Sequence, residues 1–150
     1  MFAQRTMPVL LPPIPADREL WSTLTALFGQ IEAALERALQ RGYGLSLSEY
    51  RAVCALSESD QGYLRMQDLA DAVGLNQSSI SRLVARLERA GLTSRRLCET
   101  DRRGVCTEVT ERGRSVCERA VLTYEVVLTA ELDRAAAEPR FASMVDRIRA

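Results

Sequence analysis

Apolar residues recur along this chain at two periods, and the changes between them divide it into elements. Leu20, Leu24, Leu27, Phe28, Ile31, Leu35 and Leu39 follow one another at intervals of mostly three or four. That spacing makes one face of a 3.6-residue helix. It predicts a helix over about residues 20–40, which the Gly42/Gly44 pair stops. Ser46 stands three residues before Glu49. In that arrangement a hydroxyl and a carboxylate satisfy each other's free backbone amides at a helix start. A second helix follows to about Ser57, with Tyr50, Val53 and Cys54 facing inward.

Leu64, Met66, Leu69, Ala70 and Val73 then fit a short helix that closes at Gly74. Asn76 is a good N-cap for the next one. That next helix carries Ile80, Leu83, Val84 and Leu87 on one side. Ser78, Ser79, Arg82, Arg86 and Arg89 point away from it, and Gly91 ends it. Two short helices joined at a glycine-containing turn, the second polar and basic on its outer face, make a helix-turn-helix.

After Leu92 the period shortens. Thr93 to Cys98 and Val105 to Val109 read as strands joined through residues 99–104, a hairpin whose tip carries Arg102 and Arg103. Thr110 caps a long helix from Glu111 to about Ala135. A short terminal helix from Pro139 to Arg149 uses Phe141, Val145 and Ile148. The expected fold is mainly α with a small β-hairpin wing. At the other end, Pro8, Pro12, Pro13 and Pro15 punctuate residues 1–16, which read as an extended arm. Val9, Leu10, Leu11 and Ile14 are a heavy apolar load for a free tail. The arm is either a disordered leader or a segment packed on a partner subunit.

Composition narrows the chemistry. The 150 residues are 47% hydrophobic and 27% charged, enough for one compact domain with a core. Twenty basic residues, all arginine, balance 20 acidic ones, and histidine is absent. Without histidine or lysine there is no Ser-His-Asp triad, no histidine metal site, no Schiff base and no phosphate-loop lysine. No paired-carboxylate pattern emerges either. The chain is expected to be no enzyme and to need no cofactor or metal. Cys54, Cys98, Cys106 and Cys117 form no CxxC pair and suit a reducing compartment. No apolar run is long enough to span a membrane, and the proline-broken start is a poor secretory signal. The expected location is the cytoplasm, with no membrane partner.

The zero net charge hides a segregation. Residues 82–103 hold seven arginines and three acids, giving +4, while residues 1–81 give −3 and residues 104–150 give −1. The positive block coincides with the second helix of the helix-turn-helix and the hairpin. A nucleic acid responds to the local field at the contact surface rather than to the whole-chain sum. Double-stranded DNA offers base-edge donors and acceptors in a major groove that admits one helix. Gln77, Ser78, Ser79 and Arg82 stand at the end of the helix that enters such a groove. Arg86 and Arg89, further along, reach the phosphate backbone, unless one of them pairs with an acid such as Glu88 or Asp101. Arg102 or Arg103 fits a narrow minor groove, and Asp101 is the acceptor that holds an arginine fork in place in the wing.

Taken in order, three segments give the chain a recognisable likeness. They are Leu69-Ala70, Gly74 and the run from Ser78 to Leu92; Asp101-Arg102-Arg103; and Val109-Thr110-Glu111-Arg112-Gly113. Together they resemble the winged helix-turn-helix regulators of the MarR family, and the likeness extends more weakly over residues 20–150. The resemblance implies a winged helix-turn-helix over about residues 46–109 within a domain of residues 17–150. It places Ser78, Ser79 and Arg82 on the recognition helix and matches the minor-groove arginine best to Arg103. It also implies a homodimer held by helices at about 18–41 and 111–149, which would read a palindromic operator as a transcriptional regulator, here expected to be a repressor. Leu10, Leu11, Ile14, Trp21, Leu24, Leu27, Phe141 and Val145 are the dimer candidates, with an intramolecular core role as the alternative for each.

Members of that family commonly release DNA on binding a small phenolic or aromatic effector between the dimerisation helices and the winged domain. Phe28, Tyr43, Tyr50, Arg51 and Tyr124 would line that cleft here, against a plainer reading of Tyr50 as core and Arg51 as a solvated helix residue. Control by thiol oxidation is a second family mechanism. A hairpin centred near Arg102 would set Cys98 and Cys106 opposite each other, within reach of a disulfide. The plainer expectation is two small, semi-buried thiols under the wing, with Cys54 and Cys117 filling core space. A winged-helix protein interaction module is the alternative from outside DNA binding.

Overall fold

The computed structural model describes residues 15–99 and 101–150, with side chains from residue 16 onward except at 101–103. The proposed arm, as far as residue 14, lies outside the described residues. Helix α1 spans Pro15–Tyr43 and α2 spans Leu47–Glu58. Strand β1 (Tyr63–Arg65) leads into α3 (Met66–Val73) and α4 (Gln77–Arg89). Strands β2 (Thr93–Cys98) and β3 (Asp101–Val109) form the wing, followed by α5 (Glu111–Ala136) and α6 (Pro139–Arg149). Among the described residues, no helix is long and apolar enough to cross a membrane.

The helix starts are fixed by their caps. At α2 the Ser46 side chain accepts from the Glu49 N–H at 3.1 Å, and Glu49 Oε2 accepts from the Ser46 N–H at 2.9 Å. At α4 the Asn76 side chain accepts from the Ser79 N–H at 2.9 Å. Thr110 does the same for Gly113 at the start of α5. Each cap removes a free amide that would otherwise cost about 1 kcal/mol. Helix α3 ends at Gly74, whose φ of 74° is left-handed and suits a residue without a Cβ.

Two apolar clusters hold the elements together. The larger joins Leu35, Leu39, Tyr50, Val53, Leu56, Leu69, Ile80, Leu83, Leu87 and Ala120, drawing on α1 to α5. The smaller consists of Leu27, Ala135, Phe141 and Val145 where α1, α5 and α6 meet. Both sets follow the 3.6-residue stripes, so the inward faces match the apolar periodicity. The dimer candidates Leu27, Phe141 and Val145 fall in this second cluster, where they pack within the chain. Trp21 and Leu24 stay exposed, at 65% and 39%.

The sheet corrects two expectations. It has three antiparallel strands in the order β1-β3-β2, with Tyr63 opposite Glu108 and Arg65 opposite Cys106. Leu64 therefore lies in a strand rather than in the α3 helix. Three residues are too few for a period to register, and the strand exists because β3 supplies its backbone partners. The hairpin is also tighter than expected. Strand β3 begins at Asp101, so Arg102 and Arg103 lie on the strand instead of in a six-residue loop.

The cysteines are a third correction. Cys54 and Cys117 are buried as expected, but they are joined in a disulfide between α2 and α5, with Cα atoms 5.7 Å apart. Cys98 and Cys106 form a second disulfide in the wing, with Cα atoms 5.5 Å apart. They are not directly opposite each other as a centre at Arg102 would require. Cys106 faces Arg96, Cys98 faces Asp101, and an irregularity between Leu97 and Cys98 interrupts the register.

Candidate nucleic-acid interface

Helix α4 buries Ile80, Leu83, Val84 and Leu87 and leaves Gln77, Ser78, Ser81, Arg82, Arg86 and Arg89 exposed. Burial of the apolar stripe against α2 and α3 is what turns the polar stripe outward. Ser79 is partly exposed, and its N–H donates to the Asn76 cap. Ser78 Oγ donates to Asn76 Oδ1 at 3.0 Å, and Ser81 Oγ donates to the Gln77 carbonyl at 2.9 Å. The structure thus gathers Gln77, Ser78, Ser79 and Arg82 at one helix end. Ser46, Ser48, Ser79, Arg82 and Arg86 line a depression of about 400 Å³ between that end and the start of α2.

The basic block is more internally neutralised than its composition suggests. Arg86 Nε donates to Glu49 Oε1 at 2.8 Å, an acid 37 residues away in the sequence. Glu88 instead accepts from Arg95 at 2.8 Å. Arg96 lies 4.3 Å above the Tyr63 ring and pairs with both Glu99 and Glu108. Among the described residues, Arg82 and Arg89 have no ion-pair partner. The side chains of Asp101, Arg102 and Arg103 lie outside the described residues; their backbone runs in β3 at the end of the wing.

The base of the wing is stitched to both helices that flank it. The Thr110 N–H donates to the Leu92 carbonyl at 3.0 Å, Thr110 Oγ1 donates to the Gly91 carbonyl at 2.7 Å, and the Val109 N–H donates to the Gly62 carbonyl. These bonds fix the wing's direction relative to α4.

Of the five cleft candidates, Tyr50 belongs to the larger apolar cluster, and Tyr43 and Tyr124 pack against it. Tyr50 and Tyr124 stack, with ring centroids 5.1 Å apart, between α2 and α5. Burial pushes the Tyr50 hydroxyl up to about 12, with smaller contributions from Tyr124, Glu58 and Glu125. The Tyr43 hydroxyl sits 2.9 Å from both the Arg119 carbonyl and Thr123 Oγ1. Arg51 pairs with Glu32 at 2.7 Å. Phe28 is 56% exposed and runs with Leu20, Trp21 and Leu24 along an outer face of α1. Sequence reasoning missed Glu49 as the partner of Arg86. It carried a signal only for the local cap, because the second contact is 37 residues away.

This arrangement, a helix-turn-helix with an antiparallel wing between long flanking helices, defines a winged helix-turn-helix protein. The sequence profile of the MarR family matches residues 43–104, from the end of α1 into the wing. Two solved structures from Streptomyces coelicolor are similar over nearly the whole chain. AbsC, a MarR family transcriptional regulator, is 27% identical over 92% of each chain with a TM-score of 0.75. Sco3205, a regulator of the same family solved in complex with DNA, is 26% identical over 93% of this chain and 88% of its own, with a TM-score of 0.77. CouR from Rhodococcus jostii RHA1, solved bound to p-coumaroyl-CoA, is 25% identical over 91% of each chain with a TM-score of 0.72. No curated protein matches the chain. Residues 43–104 thus match the MarR family, and the whole chain is similar in fold to winged helix-turn-helix transcriptional regulators of that family.

Proposed function

We propose that the protein is a homodimeric repressor that binds a palindromic double-stranded operator in the cytoplasm and leaves it when a small effector binds. The observation that carries the DNA reading is the outer face of α4. Gln77, Ser78 and Arg82 are exposed together at its start, and Arg82 has no acid to pair with among the described residues. In this reading Gln77, Ser78, Ser79 and Arg82 meet base edges in the major groove, and Arg86 meets a phosphate. Arg102 or Arg103, with Arg103 the better match, enters the minor groove, and Asp101 is the acceptor that holds an arginine fork in place. The DNA complex of Sco3205 supports the reading.

The domain is residues 17–150, with the winged module over about 46–109 and dimerisation helices over about 18–41 and 111–149. Exposed Leu20, Trp21, Leu24, Phe28, Leu122, Val126 and Ile148 favour a dimer, since these large side chains otherwise meet water. Two-fold symmetry then matches a palindrome. For the effector, the support is CouR with its bound p-coumaroyl-CoA. An aromatic or phenolic compound entering beside Tyr50, Arg51 and Tyr124, near Tyr43 and Phe28, would have to part the tyrosine stack.

The test is a pair of variants titrated into an operator duplex. Arg82→Ala is expected to weaken binding and to relax sequence preference. Arg103→Ala is expected to weaken binding and lower its salt dependence. Unchanged affinity in both, with the fold intact, rejects these sites and favours a protein partner instead.

A second reading, control by thiol oxidation, is favoured by the wing disulfide. Cys98 and Cys106 thiols would lose two electrons and two protons to a peroxide, which becomes water and an alcohol or a second water. Reduction would then change wing shape and DNA affinity. Equal affinity of the oxidised and reduced protein removes this reading.

A further inference from the structure

Glu49 does two things at once. Its Oε2 closes the α2 cap by accepting the Ser46 N–H at 2.9 Å, and its Oε1 accepts from Arg86 Nε of α4 at 2.8 Å. The carboxylate is only 12% exposed, while the Arg86 side chain is 49% exposed. An acid fixed by its own helix cap cannot swing away with its arginine, so the pair is rigid from the Glu49 side. The bond uses Nε, and no other partner of Arg86 is present among the described residues. The terminal guanidinium nitrogens are therefore available at the rim of the depression shared with Ser46, Ser48, Ser79 and Arg82.

A carboxylate held largely out of water needs a well-placed partner to offset the loss of hydration. Here the geometry serves a second end, because a pre-oriented planar fork loses less freedom on meeting a phosphate than a free side chain does. We infer that Glu49 is a positioning residue for DNA binding: it holds Arg86 so that the guanidinium meets a backbone phosphate, and it ties α2 to the recognition helix. Glu49 itself, an anion, does not touch DNA. This role rests on the DNA-binding reading above and adds to it a residue that lies outside both the recognition helix and the wing.

The experiment is a double-mutant cycle with the full chain, using fluorescence anisotropy at about 0.15 M salt, where weak patch binding is suppressed. Glu49→Gln, Arg86→Ala and the double variant are titrated into the operator duplex and a scrambled duplex, with thermal unfolding of each recorded alongside. Glutamine can still complete the cap, so the loss isolates the arginine contact. Arg86→Ala is expected to weaken binding about tenfold on both duplexes alike, as loss of one phosphate contact does. Glu49→Gln is expected to lose several-fold on both, and to lose nothing further in the Arg86→Ala background.

A Glu49→Gln protein with wild-type affinity overturns the role. So do losses that multiply in the double variant, which would mean that Glu49 acts only through the stability of α2. Arg86→Lys, which leaves the cap untouched, keeps the charge but lacks the fork. It is expected to bind several-fold more weakly than wild type, and full affinity would contradict the inference even if Glu49→Gln fails to fold. A wild-type protein that binds neither duplex is a different result, and overturns the DNA reading itself together with this role.

Discussion

Cys54 in the middle of α2 and Cys117 in the first half of α5 are linked across the core, 63 residues apart in sequence. The loop they close contains the whole helix-turn-helix and the wing. Closing a loop of this length restricts the unfolded chain and stabilises the fold by roughly 4 kcal/mol in the chain-entropy picture. The nested Cys98–Cys106 loop, eight residues, contributes less. Urea unfolding of oxidised protein and of the Cys54→Ala/Cys117→Ala variant should show a clear drop in midpoint for the variant. Coincident curves would mean that the cross-link does not constrain the chain.

Gly113 carries the closest backbone approach at the base of the wing. A Cβ there would overlap the Leu92 carbonyl oxygen and lie 2.8 Å from a Val109 methyl. Both neighbours belong to the hydrogen-bonded junction of β2, β3 and α5, so neither can yield cheaply. Gly113→Ala is expected to cost on the order of 1–3 kcal/mol, read as a lower thermal midpoint, and to loosen the wing. A variant as stable as wild type would show that α5 can shift away from Leu92.

Tyr50 links stability to alkaline pH. Its hydroxyl is pushed up to about 12 by burial, against about 10 in the unfolded chain. Between these values the unfolded state releases a proton that the folded state keeps. The unfolded state therefore binds fewer protons, and stability falls as pH rises. Below about pH 10 this contribution is complete, and it is lost as pH passes through about 12. Tyr50→Phe should remove that part of the slope. Denaturant midpoints measured from pH 9 to 11.5 in both proteins check it, and parallel slopes would contradict it.

The outer face of α1 predicts an assembly. Leu20 and Trp21 are 60% and 65% exposed in the single chain, and Trp21 is the one tryptophan in the sequence. A dimer that covers this face should shift its emission to the blue. Leu24→Glu should give a monomer by sedimentation velocity, with red-shifted emission and an intact helical signal. A dimer of unchanged affinity would place the interface elsewhere.

What was legible in the sequence follows interaction range. The caps at Ser46, Asn76 and Thr110 and the stripes of α1, α4 and α5 depend on residues within one or two helical turns, so spacing alone revealed them. Tyr63–Arg65 as a strand, Glu49 as the acid of Arg86, and Cys54 as the partner of Cys117 depend on residues 37 to 63 positions away. No local period encodes such contacts. The likeness of the Ser78–Leu92 run and the Asp101-Arg102-Arg103 segment to a known family added what patterning could not, the expected dimer and the match of the minor-groove arginine to Arg103. The effector cleft rests on residue types alone, and in the structure Tyr50 and Tyr124 stack on each other.

Through α4 and the wing the protein is expected to read a specific duplex, a property on which the proposed function rests. Its most direct test is a titration of the purified protein into a labelled duplex from the intergenic DNA beside its own gene, against a scrambled duplex, at about 0.15 M salt. Nanomolar binding is expected, with a preference on the order of a thousandfold for the native duplex. Equal, weak binding to both, repeated with duplexes selected from a random pool, would contradict it.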